Sequence, residues 1–196
     1  MSNGPESAAD ARTQRQRMLA GDLYIADDPE LALASLKAMR LTDLFNQTRA
    51  DDKSGRLRIL RQLLGALGES TEIRPPLYCE YGDQLRIGAR TFVNFGLTAL
   101  DVATITIGDD VQIGPSVQLL TPTHPVDPEL RRSKLEAALP ITIGDNVWLG
   151  GGVIVLPGVS IGANTVVGAG SVVVRDLRAS VVAVGNPARI VRDLVA

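Results

Sequence analysis

Cysteine occurs once in the 196 residues, at Cys79, so no intrachain disulfide can form. Histidine also occurs once, at His124, which rules out a zinc centre built on three imidazoles; no metal requirement is expected. The chain lacks any Lys/Arg block, and 20 basic against 22 acidic residues leave a net charge of -2. The electrostatic footprint of a nucleic-acid binder is therefore missing. No apolar run is long enough to cross a bilayer, so no membrane partner is expected. The N-terminal MSNGPESAADARTQRQ is polar where a secretion signal would be apolar. A cytoplasmic location is the default expectation, and the glycosylation-like triplet Asn46-Gln47-Thr48 is read as chance. The length suits one sizeable core, with room for a small helical unit beside it.

Residues 1–12 hold Gly, Pro, Ala, Ser and acids, with nothing to bury, and are expected to be disordered. Residues 13–70 read as a helical segment. Asp28 can cap a helix, Pro29 suits its first turn, and Glu30 favours its positive end. Leu31, Leu33, Leu36, Met39, Leu41 and Leu44 follow at roughly helical spacing. A second helix is expected from about Gly55 to Gly68, with Leu57, Ile59, Leu60, Leu63 and Leu64 as its apolar face.

From about residue 71 Val, Ile and Gly take over and the spacing becomes six. ITIGDN, VWLGGG, VIVLPG, VSIGAN, TVVGAG and SVVVRD tile residues 141–176, and ITIGDD with VQIGPS tile 105–116. QLRIGAR, around Ile87, is a looser member out of register with them. The recurring aliphatics are Ile107, Ile113 and Leu119, then Ile143, Leu149, Val155, Ile161, Val167 and Val173. Such a sustained period predicts a mainly β protein, a parallel β-helix over 71–196 with one aliphatic per repeat pointing inward. An antiparallel sandwich does not hold a strict six-residue register.

The pattern breaks at TPTHPVDPELRRSKLEAALP, residues 121–140, which has prolines at 122, 125, 128 and 140 and cannot supply an aliphatic at every sixth place. This segment is expected to leave the coil as a loop. Pro122 and Pro125 restrict Thr121 and His124 toward extended backbone, so the only histidine is held where the loop departs.

These hexapeptides, the TxxHP break, NVWLGGGVIVLPGVSIG, GAGSVV, GNPARIVR, PPLYCEYG and the N-terminal MLAGDLYIADDPEL together resemble the maltose and galactoside O-acetyltransferases, over roughly residues 16–196. The resemblance implies a left-handed parallel β-helix, acetyl-CoA as the acetyl donor, a hydroxyl-bearing sugar as acceptor and a homotrimer with its sites between subunits. It implies that His124 is the general base, with no acyl-enzyme intermediate. Its chemistry suits the role, because an imidazole with a pKa of about 6.5 is poised to take a hydroxyl proton near neutrality. On the acceptor side the resemblance implies Asn94, Asp101, Phe92 and Asp27. On the cofactor side it implies Trp148, the amide of Gly151 as oxyanion donor, Ala169 along the pantetheine arm, and Arg175, Arg189 and Arg192 near the nucleotide phosphates.

Each residue also has a plainer reading. Asn94 suits a β-helix turn, Asp101 a turn cap, Trp148 surface packing, and the C-terminal arginines the solvated face of a last helix. The departures from the family pattern fall mainly on the acceptor side. Phe92 replaces a frequent tyrosine, Val102 stands where an acid often follows the aspartate, and Asp27 and Asp28 sit one place late. On the cofactor side Val174 replaces a threonine and Arg175 a lysine. Acetyl transfer is thus better supported than any one sugar. The alternatives are a xenobiotic O-acetyltransferase of the same superfamily and a non-catalytic trimeric scaffold. A serine acetyltransferase is disfavoured, since those relatives carry further histidines.

Overall fold

The computed structural model describes residues 11–194. The disorder expected of residues 1–10 lies outside the described residues, while Arg12 is ordered enough to pair with Asp22 at 2.6 Å. Helix α1 (Gln14–Leu19) starts at Thr13, whose hydroxyl accepts from the Gln16 amide while the Gln16 side chain accepts from the Thr13 amide. Helix α2 (Pro29–Asn46) begins at the expected Asp28 cap, whose carboxylate accepts from the amides of Glu30 and Leu31 at 2.9 and 3.2 Å.

The buried side of α2 is Leu31, Ala38, Thr42 and Phe45, whereas Leu33, Leu36, Met39 and Leu44 are exposed. Of the predicted stripe, Leu31 is buried and Leu41 packs partly against the coil, while the other four positions face outward. Both sets recur at helical spacing, and Phe45 and Ala38 are the buried ones that pack on the base of the coil. Helix α3 (Lys53–Leu63) stops short of Gly68. Ala66–Leu67 is already the first strand, paired in parallel with Arg86 and Ile87, so the coil starts a few residues before 71. Gly65 and Gly68 make this possible, because a Cβ there would sit 2.1 and 2.3 Å from backbone atoms of Asp83 and Ala89.

The coil has three faces of parallel strands. The first stacks Leu77–Cys79, Leu97–Leu100, Gln118–Leu120, Ile154–Val155 and Val172–Val173. The second runs from Ala66–Leu67 through Ile105–Ile107 and Ile141–Ile143 to Ser160–Ile161. The third runs from Glu72–Ile73 through Phe92–Val93, Gln112–Ile113, Trp148–Leu149 and Val166–Val167 to Val181–Val184. The architecture is the mainly β, left-handed parallel β-helix class expected, with a small helical segment and an extruded loop.

Every inward aliphatic from Ile107 to Val173 named above is at most 2 % exposed, so the six-residue register is the register of the core. In the upper coils Trp148 pairs with Val166, 18 residues on. In the lower coils Ile87 pairs with Ile107, 20 residues on, which is why QLRIGAR falls out of register. The coils lie close enough that a Cβ on Gly150 would meet the Ala169 amide at 2.5 Å. Gly150→Ala is expected to lower the melting temperature by several degrees, since backbone must shift to admit it and about 1 kcal/mol moves the midpoint by 2–4 °C at this size. A thermal melt followed by circular dichroism checks this.

The excursion at 121–140 is folded. Pro122–Thr123 and Leu135–Ala138 form an antiparallel pair, and the second strand also pairs with Tyr24–Ile25 from the N-terminal segment. Helix α4 (Pro128–Arg132) tops it, capped by Asp127. Beneath lies a second, smaller core of Met18, Tyr24, Leu31, Tyr81, Val102 and Ala138. The last segment, Arg189–Asp193, is an antiparallel strand against Val181–Val184 and not a helix. No helix among the described residues is long and apolar enough to cross a membrane.

Candidate active site

His124 directly follows the strand Pro122–Thr123 and is exposed. It lines a pocket with Ala26, Asp27, Arg131, Lys134 and Glu136. The walls come from two stretches distant in sequence, 26–27 and 124–136, held together by hydrogen bonds. The Thr123 hydroxyl donates to the Ala137 carbonyl at 3.2 Å. The Arg131 guanidinium donates to the carbonyls of Pro125 and Val126 at 3.1 and 3.0 Å, fixing the turn after the histidine. The Tyr24 hydroxyl donates to Glu136 at 3.0 Å. Burial first, and then the charge of Glu136, hold that phenol well above its ordinary range, so it stays a neutral donor. Lys134 and Asp27 face each other at 3.9 Å across the mouth.

A second assembly runs along the edge between the first and third faces. Asn94, Gly114, Gly150 and Gly168 stack there, each donating its amide to the coil above. Beside them stand Phe95, Pro115, Gly151 and Ala169. Asn94 accepts the Phe95 amide at 2.8 Å, and proline has no amide to offer. Among the described residues no acceptor meets the amides of Gly151 or Ala169. At another corner the coil closes such groups itself: Asp109 takes the Ala89 amide at 2.8 Å and Asp145 takes the Asp109 amide at 2.9 Å. The 151/169 edge thus offers a short row of open N–H donors, the arrangement that suits an oxyanion or a carbonyl oxygen. Trp148 is 56 % exposed on the adjoining face, and Arg175, Arg189 and Arg192 are exposed beyond it.

Asp101 does not stand where the resemblance placed it. It is fully buried, and its carboxylate accepts from the amides of Glu80 and Tyr81 at 2.9 Å and of Gln84 at 3.1 Å. Burial pushes its pKa up to about 6 against the pull of those bonds. It caps the 80–84 turn with both oxygens engaged, and burial closes it off from an acceptor. The next residue, Val102, faces the small core under the loop.

Within one chain the loop pocket joins His124 to Asp27 but is not lined by Asn94, Phe92, Trp148, Gly151, Ala169 or the three arginines. The maltose acetyltransferase hexapeptide capping motif matches residues 17–68, and the bacterial transferase hexapeptide, six repeats, matches 140–175. Nodulation protein L of Rhizobium meliloti is 47 % identical over 91 % of this chain and 98 % of its own length. The crystal structure of a maltose O-acetyltransferase from Clostridium difficile superposes with a TM-score of 0.94 at 43 % identity, over 95 % of this chain and all of that one. A galactoside acetyltransferase solved with coenzyme A gives 0.90 at 38 % identity, over 94 and 92 %. The chain belongs to the maltose and galactoside O-acetyltransferase family.

In this acetyltransferase the capping motif packs under the histidine loop, which is why the N-terminal helical segment and the TxxHP break occur together. Reading the sequence missed Glu136, Arg131 and Lys134, the charged groups that share the pocket with His124. They sit in a charged cluster with no periodicity. Tyr24 lies inside a recognised stretch, yet nothing local signals its bond to a residue 112 positions away.

Proposed function

We propose that the protein moves acetyl from acetyl-CoA to a hydroxyl of a maltose-, glucose- or galactoside-like sugar, with His124 as general base. The observation that carries this reading is the only imidazole of the chain, exposed and unbonded among the described residues, on a loop tied down by Tyr24, Thr123 and Arg131. His124 takes the hydroxyl proton as the oxygen attacks the thioester carbonyl. The oxyanion that forms accepts from the Gly151 amide, and collapse expels the thiolate of coenzyme A, which recovers the proton from the imidazolium. Direct transfer fits the inventory. The sole thiol, Cys79, is pushed up to about 12, chiefly by burial, so no thiolate is at hand to carry an acyl group.

Asn94, Phe92 and Asp27 are assigned to the acceptor. Trp148, Gly151, Ala169, Arg175, Arg189 and Arg192 are assigned to the cofactor. A homotrimer supplies the missing proximity. The outward residues of the second face are polar (Arg86, Thr106, Thr142, Ser160), whereas in the upper coils Trp148, Val166 and Val182 on the third and Ile154 and Val172 on the first are apolar, above Gln112 and Gln118. Copies packed on these two faces cover the apolar rows and set the 151/169 edge of one against a neighbour.

The test is release of coenzyme A thiol from acetyl-CoA, with maltose, glucose, galactosides and chloramphenicol offered in parallel to protein whose mass in solution is measured by sedimentation. Sugar-dependent release by a trimer is expected. Release with chloramphenicol alone moves the activity to xenobiotics, and failure to bind acetyl-CoA makes the coil a scaffold.

A further inference from the structure

We propose that Arg74 selects acceptors carrying an oxyanion, a carboxylate or a phosphate at the end remote from the acetylated hydroxyl; this rests on the acceptor site proposed above. Ile73 pairs with Val93, so Arg74 stands in register opposite Asn94, one coil lower. Its amide donates to the Val93 carbonyl at 2.9 Å, and one coil step is about 5 Å. The base of the edge that bears the open amides of Gly151 and Ala169 therefore ends in a cation.

The guanidinium is held by its flat sides. Its carbon lies 4.9 Å from the centre of the Phe92 ring and 5.2 Å from that of Phe95. Phe92, the residue that departs from a frequent family tyrosine, loses a hydroxyl but gains a role as the plate on which Arg74 rests. Stacking of this kind removes most of the side-chain freedom that binding would otherwise have to quench. Glu72 pairs with Arg74 at 3.6 Å, measured to Nε, without a hydrogen bond. No hydrogen-bond acceptor among the described residues meets the terminal nitrogens, which leaves a planar two-donor edge suited to an oxyanion.

The surrounding charge favours the same ligand. Glu72 borders a pocket with Lys53 and Arg56. Arg56 is committed to the carbonyls of Arg49 and Ala50 at 2.9 and 2.7 Å, while Lys53 lines the same pocket as Glu72 and adds a second cation. A neutral sugar makes little use of a pre-oriented guanidinium, whereas an anionic one gains a charge-assisted pair.

The experiment compares kcat/KM for maltose, maltose 1-phosphate and a disaccharide ending in glucuronate, in the wild type, Arg74→Gln and Arg74→Lys. In the wild type the charged acceptors are expected to exceed maltose by about tenfold or more, through KM, equivalent to about 1.4 kcal/mol. Arg74→Gln should bring the ratio near one, and Arg74→Lys should recover only part of it, since an ammonium neither stacks nor forks. A preference for only one of the two charged acceptors, lost in Arg74→Gln, identifies the anion. A wild-type ratio near one, or a preference that survives Arg74→Gln, overturns the inference while sugar acetylation stands. If no sugar supports thiol release at all, the acceptor reading itself fails and the inference falls with it.

Discussion

Replacing His124 with alanine is expected to lower kcat by about 10² to 10⁴ while leaving the fold and the assembly intact. The magnitude is that of a general base removed from a reaction whose hydroxyl is hardly ionised at neutral pH. Folding should be indifferent, because the side chain is exposed and among the described residues makes no hydrogen bond that the fold would lose. Steady-state thiol release gives the rate, and circular dichroism with sedimentation gives the controls. The loss should appear in kcat rather than in KM for acetyl-CoA, since the base acts only as the proton moves. A variant that keeps near wild-type turnover removes His124 from the mechanism, and the Gly151 edge would then have to act with a base from elsewhere.

Asp101→Ala is expected to destabilise the fold by about 3 kcal/mol, lowering the melting temperature by roughly 6–12 °C. The carboxylate serves the amides of Glu80, Tyr81 and Gln84, and its removal leaves them without an acceptor in a buried turn. Asp101→Asn keeps one acceptor oxygen and should cost less. The pH dependence separates the two states of the acid. Its folded pKa, raised to about 6, exceeds the value of about 3.8 in the unfolded chain, so the folded form binds the extra proton between those values. Stability from this group is therefore full below about pH 4 and declines as pH rises toward 6. Urea denaturation across that window should show the decline in the wild type and lose it in Asp101→Asn. An acceptor-contacting role would instead raise KM for the sugar with little change in stability.

The coil was legible because its core obeys a one-dimensional rule. One inward aliphatic per repeat from Ile107 to Val173 could be named from spacing, since identical coils must place aliphatics at identical positions; the second buried row, with Val111, Val117, Val147 and Val153, was not named. The rule fails where coils have 20 residues, and it cannot choose between two apolar stripes on α2, where Phe45 and Ala38 are buried and Leu33 and Leu36 are not. At such a place the partner surface decides, and the partner is remote in sequence. Asp101 and Val102 show the same limit at one-residue resolution. Successive residues of a coil face opposite ways, so a shift of one position exchanges a buried turn cap for a residue lining the loop core.

The sequence by itself determined the solenoid, the place where it opens, and the position of the chain's single imidazole. Those features depend on local period, on proline, and on the count of one residue type. Only the tertiary structure decided what surrounds that imidazole and what the remaining site residues face. Arg131 and Glu136 share a pocket with His124, and Tyr24 braces Glu136 through pairing across more than 100 residues. The free amides of Gly151 and Ala169 are distinguished from their capped counterparts solely by which side chain the neighbouring coil presents. Contacts of that kind are set by the stacking of coils and the docking of a remote segment, which no local pattern encodes.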